Sequence, residues 1–156
     1  MKHLATTTLM VLLILAAVTS FAQERPQNRA SPAKPALFTQ FPDVIDCTTG
    51  QLNSFFNSRQ GENIAVSFNS NLTLDGNVKS NISKYSNLQT VVVKLTKFNN
   101  MLFTISRIVD EDHQIVYTGH LFDAAYADGF ELKNKGGGNY QFVKIELEKM
   151  LPTCSQ

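Results

Sequence analysis

The spacing of apolar residues changes twice along this chain. Every position from Leu9 to Val18 is apolar, Leu52, Phe55 and Phe56 then recur at intervals of three and four, and from Glu62 onward the interval becomes two. These regimes predict a targeting segment, a short helix and a run of strands. The helix takes Thr48 or Thr49 as its cap, continues through Asn57 and presents Leu52, Phe55 and Phe56 as one stripe to pack on a sheet. In the first strand Ile64, Val66 and Phe68 alternate with Ala65, Ser67 and Asn69, and Asn69 to Asn71 makes a turn.

Leu72 to Tyr85 is a more polar strand, in which Asp75-Gly76 is either a tight turn or a bulge. Leu88 to Phe98 carries the clearest alternation, with Val91, Val93 and Leu95 on one face and Thr90, Val92, Lys94 and Thr96 on the other. Asn99-Asn100 suits a hairpin, since asparagine tolerates positive φ. Met101 to Val109, Gln114 to Phe122, Phe130 to Lys133 and Tyr140 to Leu147 follow as strands, the last pair joined across Gly136, Gly137 and Gly138. The expected fold is therefore mainly β with some helix (α+β): a short N-terminal helix, then an antiparallel meander of about six or seven strands, forming a partial barrel or curved sheet. Adjacent apolar residues such as Val91, Val92 and Val93 imply that both faces carry apolar surface. Either the helix covers part of it, or the sheet curls around a cavity.

Ten apolar residues fall well short of the roughly 20 that a bilayer requires. With Lys2 and His3 before that run and the small residues Ser20 and Ala22 after it, residues 1–22 read as a signal peptide cleaved near Ala22-Gln23. The expected location is secreted or periplasmic, with no membrane span in the mature chain, and the signal fits a bacterium at least as well as a eukaryote. Pro26, Pro32, Pro35 and Pro42 crowd the next stretch, and the following proline is Pro152. Residues 23–42 are thus expected to be a flexible, proline-containing segment, the globular pattern itself running from about Phe38 or Phe41 to Cys154. Residues 43–156 form a single β-rich domain.

Of the 14 Lys and Arg only Lys2 lies in the leader, so 13 remain against 13 Asp and Glu. A neutral chain has no electrostatic footprint for nucleic acid, and no run of like charge addresses an anionic membrane. Two cysteines in an exported chain favour a disulfide, here Cys47 to Cys154 at the two ends of the domain. Closing a loop on the order of 100 residues is worth about 4–5 kcal/mol in chain entropy.

Candidate chemistry is sparse. The triple glycine leads into a strand, whereas a phosphate loop leads into a helix. Asp110, Glu111 and Asp112 form a turn without the spacing of a calcium loop. His113 and His120 stand about 20 Å apart along one strand at about 3.3 Å per residue, too far to share a metal. No GxSxG elbow or HExxH pair occurs, so no catalytic, cofactor-binding or metal residues are assigned and no cofactor is expected. The sequons at Asn71 and Asn81 matter only in a eukaryotic secretory pathway. The densest mixture of aromatic and polar groups, Tyr117, His120, Phe122, Tyr126 and Asp128, followed by Phe130, is the candidate recognition surface. The expected function is a non-catalytic binding or interaction module for a protein, glycan or small apolar ligand. The alternative is a small secreted hydrolase that pairs His120 with Asp123 or Asp128.

Overall fold

Residues 33–69 and 72–150 are described by the computed structural model. Eight strands, β1 (Val44–Thr48), β2 (Asn63–Ser67), β3 (Thr73–Tyr85), β4 (Leu88–Leu95), β5 (Leu102–Val109), β6 (Ile115–Leu121), β7 (Asp128–Gly136) and β8 (Asn139–Glu146), form one antiparallel sheet. Its order is β1-β8-β7-β6-β5-β4-β3-β2, and it curls into a half-barrel. Helix α1 (Thr49–Phe56) lies between β1 and β2 in sequence and contacts both of these edge strands. A one-turn helix α2 (Leu147–Met150) follows β8.

Two features correct the expected order. The helix is not the first element: Val44 to Thr48 precede it as a strand, with Ile45 and Cys47 inward and Val44 and Asp46 outward. This five-residue alternation is short, with Pro42 just before it and the helix cap at its end. Asp75-Gly76 is neither turn nor bulge. β3 runs through it in register with β4, and the register shifts fall at Lys79 and Lys84 instead. A Cβ at Gly76 would overlap the Lys94 carbonyl oxygen, so the glycine permits a close backbone approach.

The period-two pattern determines what fills the concave side. Val91, Val93 and Leu95 from β4, Phe103 and Ile105 from β5, Leu121 from β6, Phe130 and Leu132 from β7 and Phe142 from β8 are all buried there. Phe55 of α1 packs on Phe103 with ring centroids 5.1 Å apart, and Phe103 meets Phe142 at 5.8 Å. Each fully buried Phe contributes about 1.5–3 kcal/mol, before any gain from edge-to-face geometry. The sheet therefore curls and the helix fills the curl, so the centre is side chain rather than cavity. Val92, at the middle of the apolar triplet, is half-buried on the convex side.

Local chemistry positions α1. Thr48 Oγ1 accepts from the Gln51 amide at 3.2 Å, and Gln51 Oε1 accepts from the Thr48 amide at 2.8 Å, a reciprocal cap worth about 1 kcal/mol. Gln51 Nε2 also donates to the Ser67 carbonyl at 2.7 Å, tying the helix to β2. At the other turn Asn99 and Asn100 adopt positive φ, 49° and 61°, as their hairpin requires.

Part of the proline-containing segment belongs to the folded body. Residues 33–43 run as a strap along the sheet, with Phe38 fully buried against Phe98 and Phe130 at centroid distances of 5.2 Å each. Prolines restrict the backbone, but they do not prevent the intervening Leu37 and Phe38 from docking. The compact unit accordingly begins at Ala33 rather than at residue 43.

Candidate functional site

At one end of the half-barrel the lining changes from hydrocarbon to polar. The cross-strand row Val91, Ile105, Gly119 and Leu132 is apolar, while two residues further along Gln89, Arg107 and Tyr117 stand side by side on the same face. Arg107 Nη2 donates to Gln89 Oε1 at 2.6 Å, and Nη1 donates to Asn53 Oδ1 of α1 at 3.0 Å. Its guanidinium carbon lies 5.0 Å from the centre of the Phe56 ring, a geometry suited to cation–π attraction. Gln89 Nε2 in turn donates to Asn81 Oδ1, and Asn81 Nδ2 donates to the Phe56 and Ser58 carbonyls at the C-terminus of α1. One polar chain thus braces the helix to β3, β4 and β5.

Among the described residues no carboxylate lies within 4.0 Å of Arg107, and its two hydrogen bonds go to neutral amide oxygens. A cleft of about 600 Å³ opens beside it, lined also by Thr49, Gly50, Asn53, His113 and Tyr117. A second cleft, toward the β3–β4 turn, has Arg107 on its wall as well. Tyr117 is 5% exposed, with its ring 5.8 Å from Phe56 and 5.5 Å from Tyr140. Burial pushes its hydroxyl pKa upward, opposed by the nearby Arg107 guanidinium. That hydroxyl has no hydrogen-bond partner among the described residues, whereas the Tyr140 hydroxyl accepts from the Tyr117 amide at 3.2 Å.

The five residues of the candidate recognition surface separate. Tyr117 faces the concave side and lines the Arg107 cleft. His120, three positions later, faces the convex side, where its ring stacks on Phe122 at 4.9 Å. These two line a smaller convex cleft of about 290 Å³ with Thr104, Ser106 and Ile145. Tyr126 is half-buried at the opposite end of the sheet, its hydroxyl accepting a hydrogen bond from Asn99 Nδ2. Asp128 is 6% exposed and holds the strap, accepting from the Leu37 amide at 2.6 Å and the Phe38 amide at 2.9 Å. No hydrogen bond joins His120 to a carboxylate among the described residues. Asp123 accepts from the Ala125 amide within its own turn.

Arg107, Gln89 and Asn53 were not singled out by sequence reasoning. A usable signal was present: β5 reads Phe103, Ile105, Arg107 at period two, placing an arginine in the inward row. His113 belongs to the rim of the same cleft, in a turn where it adopts φ 60°. Among the described residues no group of three or more His, Cys, Asp and Glu could hold a metal, and no helix is long and apolar enough to cross a membrane.

Cys47 is buried on the concave side of β1, its Sγ donating to the Ile45 carbonyl at 3.5 Å. Desolvation pushes its thiol pKa up to about 12. Cys154 lies outside the described residues, as do the leader and Asn71. In register Cys47 stands beside Tyr140 of β8.

Comparison with protein-family models, with curated proteins and with solved structures yields no match.

Proposed function

We propose that the protein is an exported, non-catalytic binding module whose ligand enters the cleft beside Arg107. The observation that carries this reading is a half-buried guanidinium with unused donors, facing an open cleft and lacking a carboxylate partner among the described residues. Binding sites place a few convergent polar groups on a rigid scaffold, and the braced end of the half-barrel provides one. Export is supported by the apolar run from Leu9 to Val18 and the small residues at Ser20 and Ala22.

The hydrolase alternative is poorly served by the same geometry. His120 and Tyr117 lie on opposite faces, and the backbone amides of Leu37, Phe38 and Ala125 occupy the two carboxylates that would orient His120. An interior filled by Phe55, Phe103 and Phe142 also argues against an apolar ligand held inside the half-barrel.

The test is a screen of organic acids, glycans and peptides against isotope-labelled protein, read by amide chemical shifts. Perturbations clustered on Asn53, Arg107, Gln114 and Tyr117 are expected. Turnover of ester or glycoside substrates that His120→Ala abolishes would overturn the reading. Export is checked separately by the N-terminal residue of the mature protein, expected to be Gln23.

A further inference from the structure

We infer that the Arg107 cleft binds a singly charged carboxylate, an inference that rests on the binding reading above and names its ligand class. A guanidinium has five N–H donors arranged as a planar fork. Two are committed here to Asn53 and Gln89, and the remainder are available to an acceptor in the cleft. The fork matches the two oxygens of a carboxylate, and charge-assisted hydrogen bonds of this type are about twice as strong as neutral ones.

Tyr117 adds a second donor on the wall of the same cleft. Its ring is buried, whereas its hydroxyl reaches solvent and bonds to no described residue, which leaves the O–H free to donate. Arg107 and Tyr117 are direct cross-strand partners on β5 and β6, so their Cβ atoms lie about 5 Å apart and both side chains rise from the concave face. A carboxylate seated on the Arg107 fork lies within reach of the phenol, which donates one further hydrogen bond.

The surroundings select charge as well as sign. Asp110, Glu111 and Asp112 occupy the turn that also carries His113, and all three are exposed beside the rim. Their repulsion grows with the charge of an incoming anion, which favours a monocarboxylate over phosphate or sulfate. A neutral ligand accepts from the fork without the ion-pair attraction or the bidentate fit of a carboxylate.

The experiment uses matched pairs differing only in charge: benzoate with benzamide, glucuronate with glucuronamide, and an N-acetylated tripeptide with free or amidated C-terminus. Amide shifts of the labelled protein report both affinity and location, and the three pairs separate an aromatic acid, a sugar acid and a peptide end as sources of the carboxylate. In at least one pair the acid is expected to bind at the cleft on the order of tenfold more tightly than its amide, as expected for a charge-assisted bond. Arg107→Gln is expected to abolish that preference. Tyr117→Phe, which keeps the ring packing, is expected to weaken the acid about three- to tenfold. Equal affinity for acid and amide at the cleft overturns the carboxylate inference and leaves the binding reading standing. No response of the cleft in any pair overturns the inference, and the wider screen then decides the binding reading. An acid preference that survives both Arg107→Gln and Tyr117→Phe overturns it too, since the charge is then read elsewhere.

Discussion

Replacing Asp128 with alanine tests how the strap is attached. The carboxylate accepts two amide hydrogen bonds, from Leu37 and Phe38, across some 90 positions of sequence. A hydrogen bond to a charged group contributes about 1.5–3 kcal/mol, and an orphaned buried amide costs a similar amount. Against this loss stands the relief of desolvating a carboxylate, so the net destabilisation is expected to be about 3 kcal/mol. Phe38→Ala removes a fully buried ring in contact with Phe98 and Phe130 and is expected to cost about 3–5 kcal/mol.

The two changes release the same strap, so the double variant should be at least about 1 kcal/mol more stable than the sum of the single effects implies. Urea unfolding with an unchanged m-value measures all three, and hydrogen exchange at the Leu37 and Phe38 amides should accelerate selectively in Asp128→Ala. A loss below about 0.5 kcal/mol, or strict additivity with Phe38→Ala, would refute the reasoning, because the strap would then be held by something other than this carboxylate.

Three further outcomes are expected. Gly76→Ala forces a Cβ into the Lys94 carbonyl and should cost several kcal/mol, on the order of 3 or more, with amide shifts confined to β3 and β4; a neutral substitution would show that the two strands separate easily. Asn81→Ala removes the bonds to the Phe56 and Ser58 carbonyls and the partner of Gln89, and should cost about 1–3 kcal/mol in chemical denaturation. Because the Cys47 thiol is held protonated to about pH 12 when folded, against about 9 when unfolded, its contribution is complete below pH 9 and is lost as pH rises toward 12. Unfolding at pH 8 and pH 10.5 should therefore show an alkaline loss of about 2 kcal/mol that Cys47→Ala removes. Intact mass before and after reduction bears on the same residue. A gain of two hydrogens on reduction of the monomer is expected if Cys47 is bonded to Cys154, and an unchanged mass would leave Cys47 a thiol.

The β-rich class, most strand positions and the helix stripe were legible because they depend on residue spacing alone. Val91, Val93 and Leu95 alternate whatever their partners are, and Thr48 with Gln51 forms its cap within four residues. The strap was less legible: Leu37 and Phe38 are two apolar residues among prolines, and their anchor, Asp128, is distant in sequence. The candidate site was least legible. The aromatic cluster from Tyr117 to Asp128 is dense in sequence, yet period-two geometry sends Tyr117 inward and His120 outward, and the turn after β6 carries Tyr126 to the far end.

By itself the sequence determined the period of each segment, its turns and its caps, since those are settled by neighbours within a few residues. Tertiary structure alone decided that β1 joins β8, that α1 fills the curl, and that Asn53, Gln89, Arg107 and Tyr117 meet at one end. Those meetings depend on sheet register and curvature, which arise from burying the whole apolar face at once and leave no mark on any single stretch of chain.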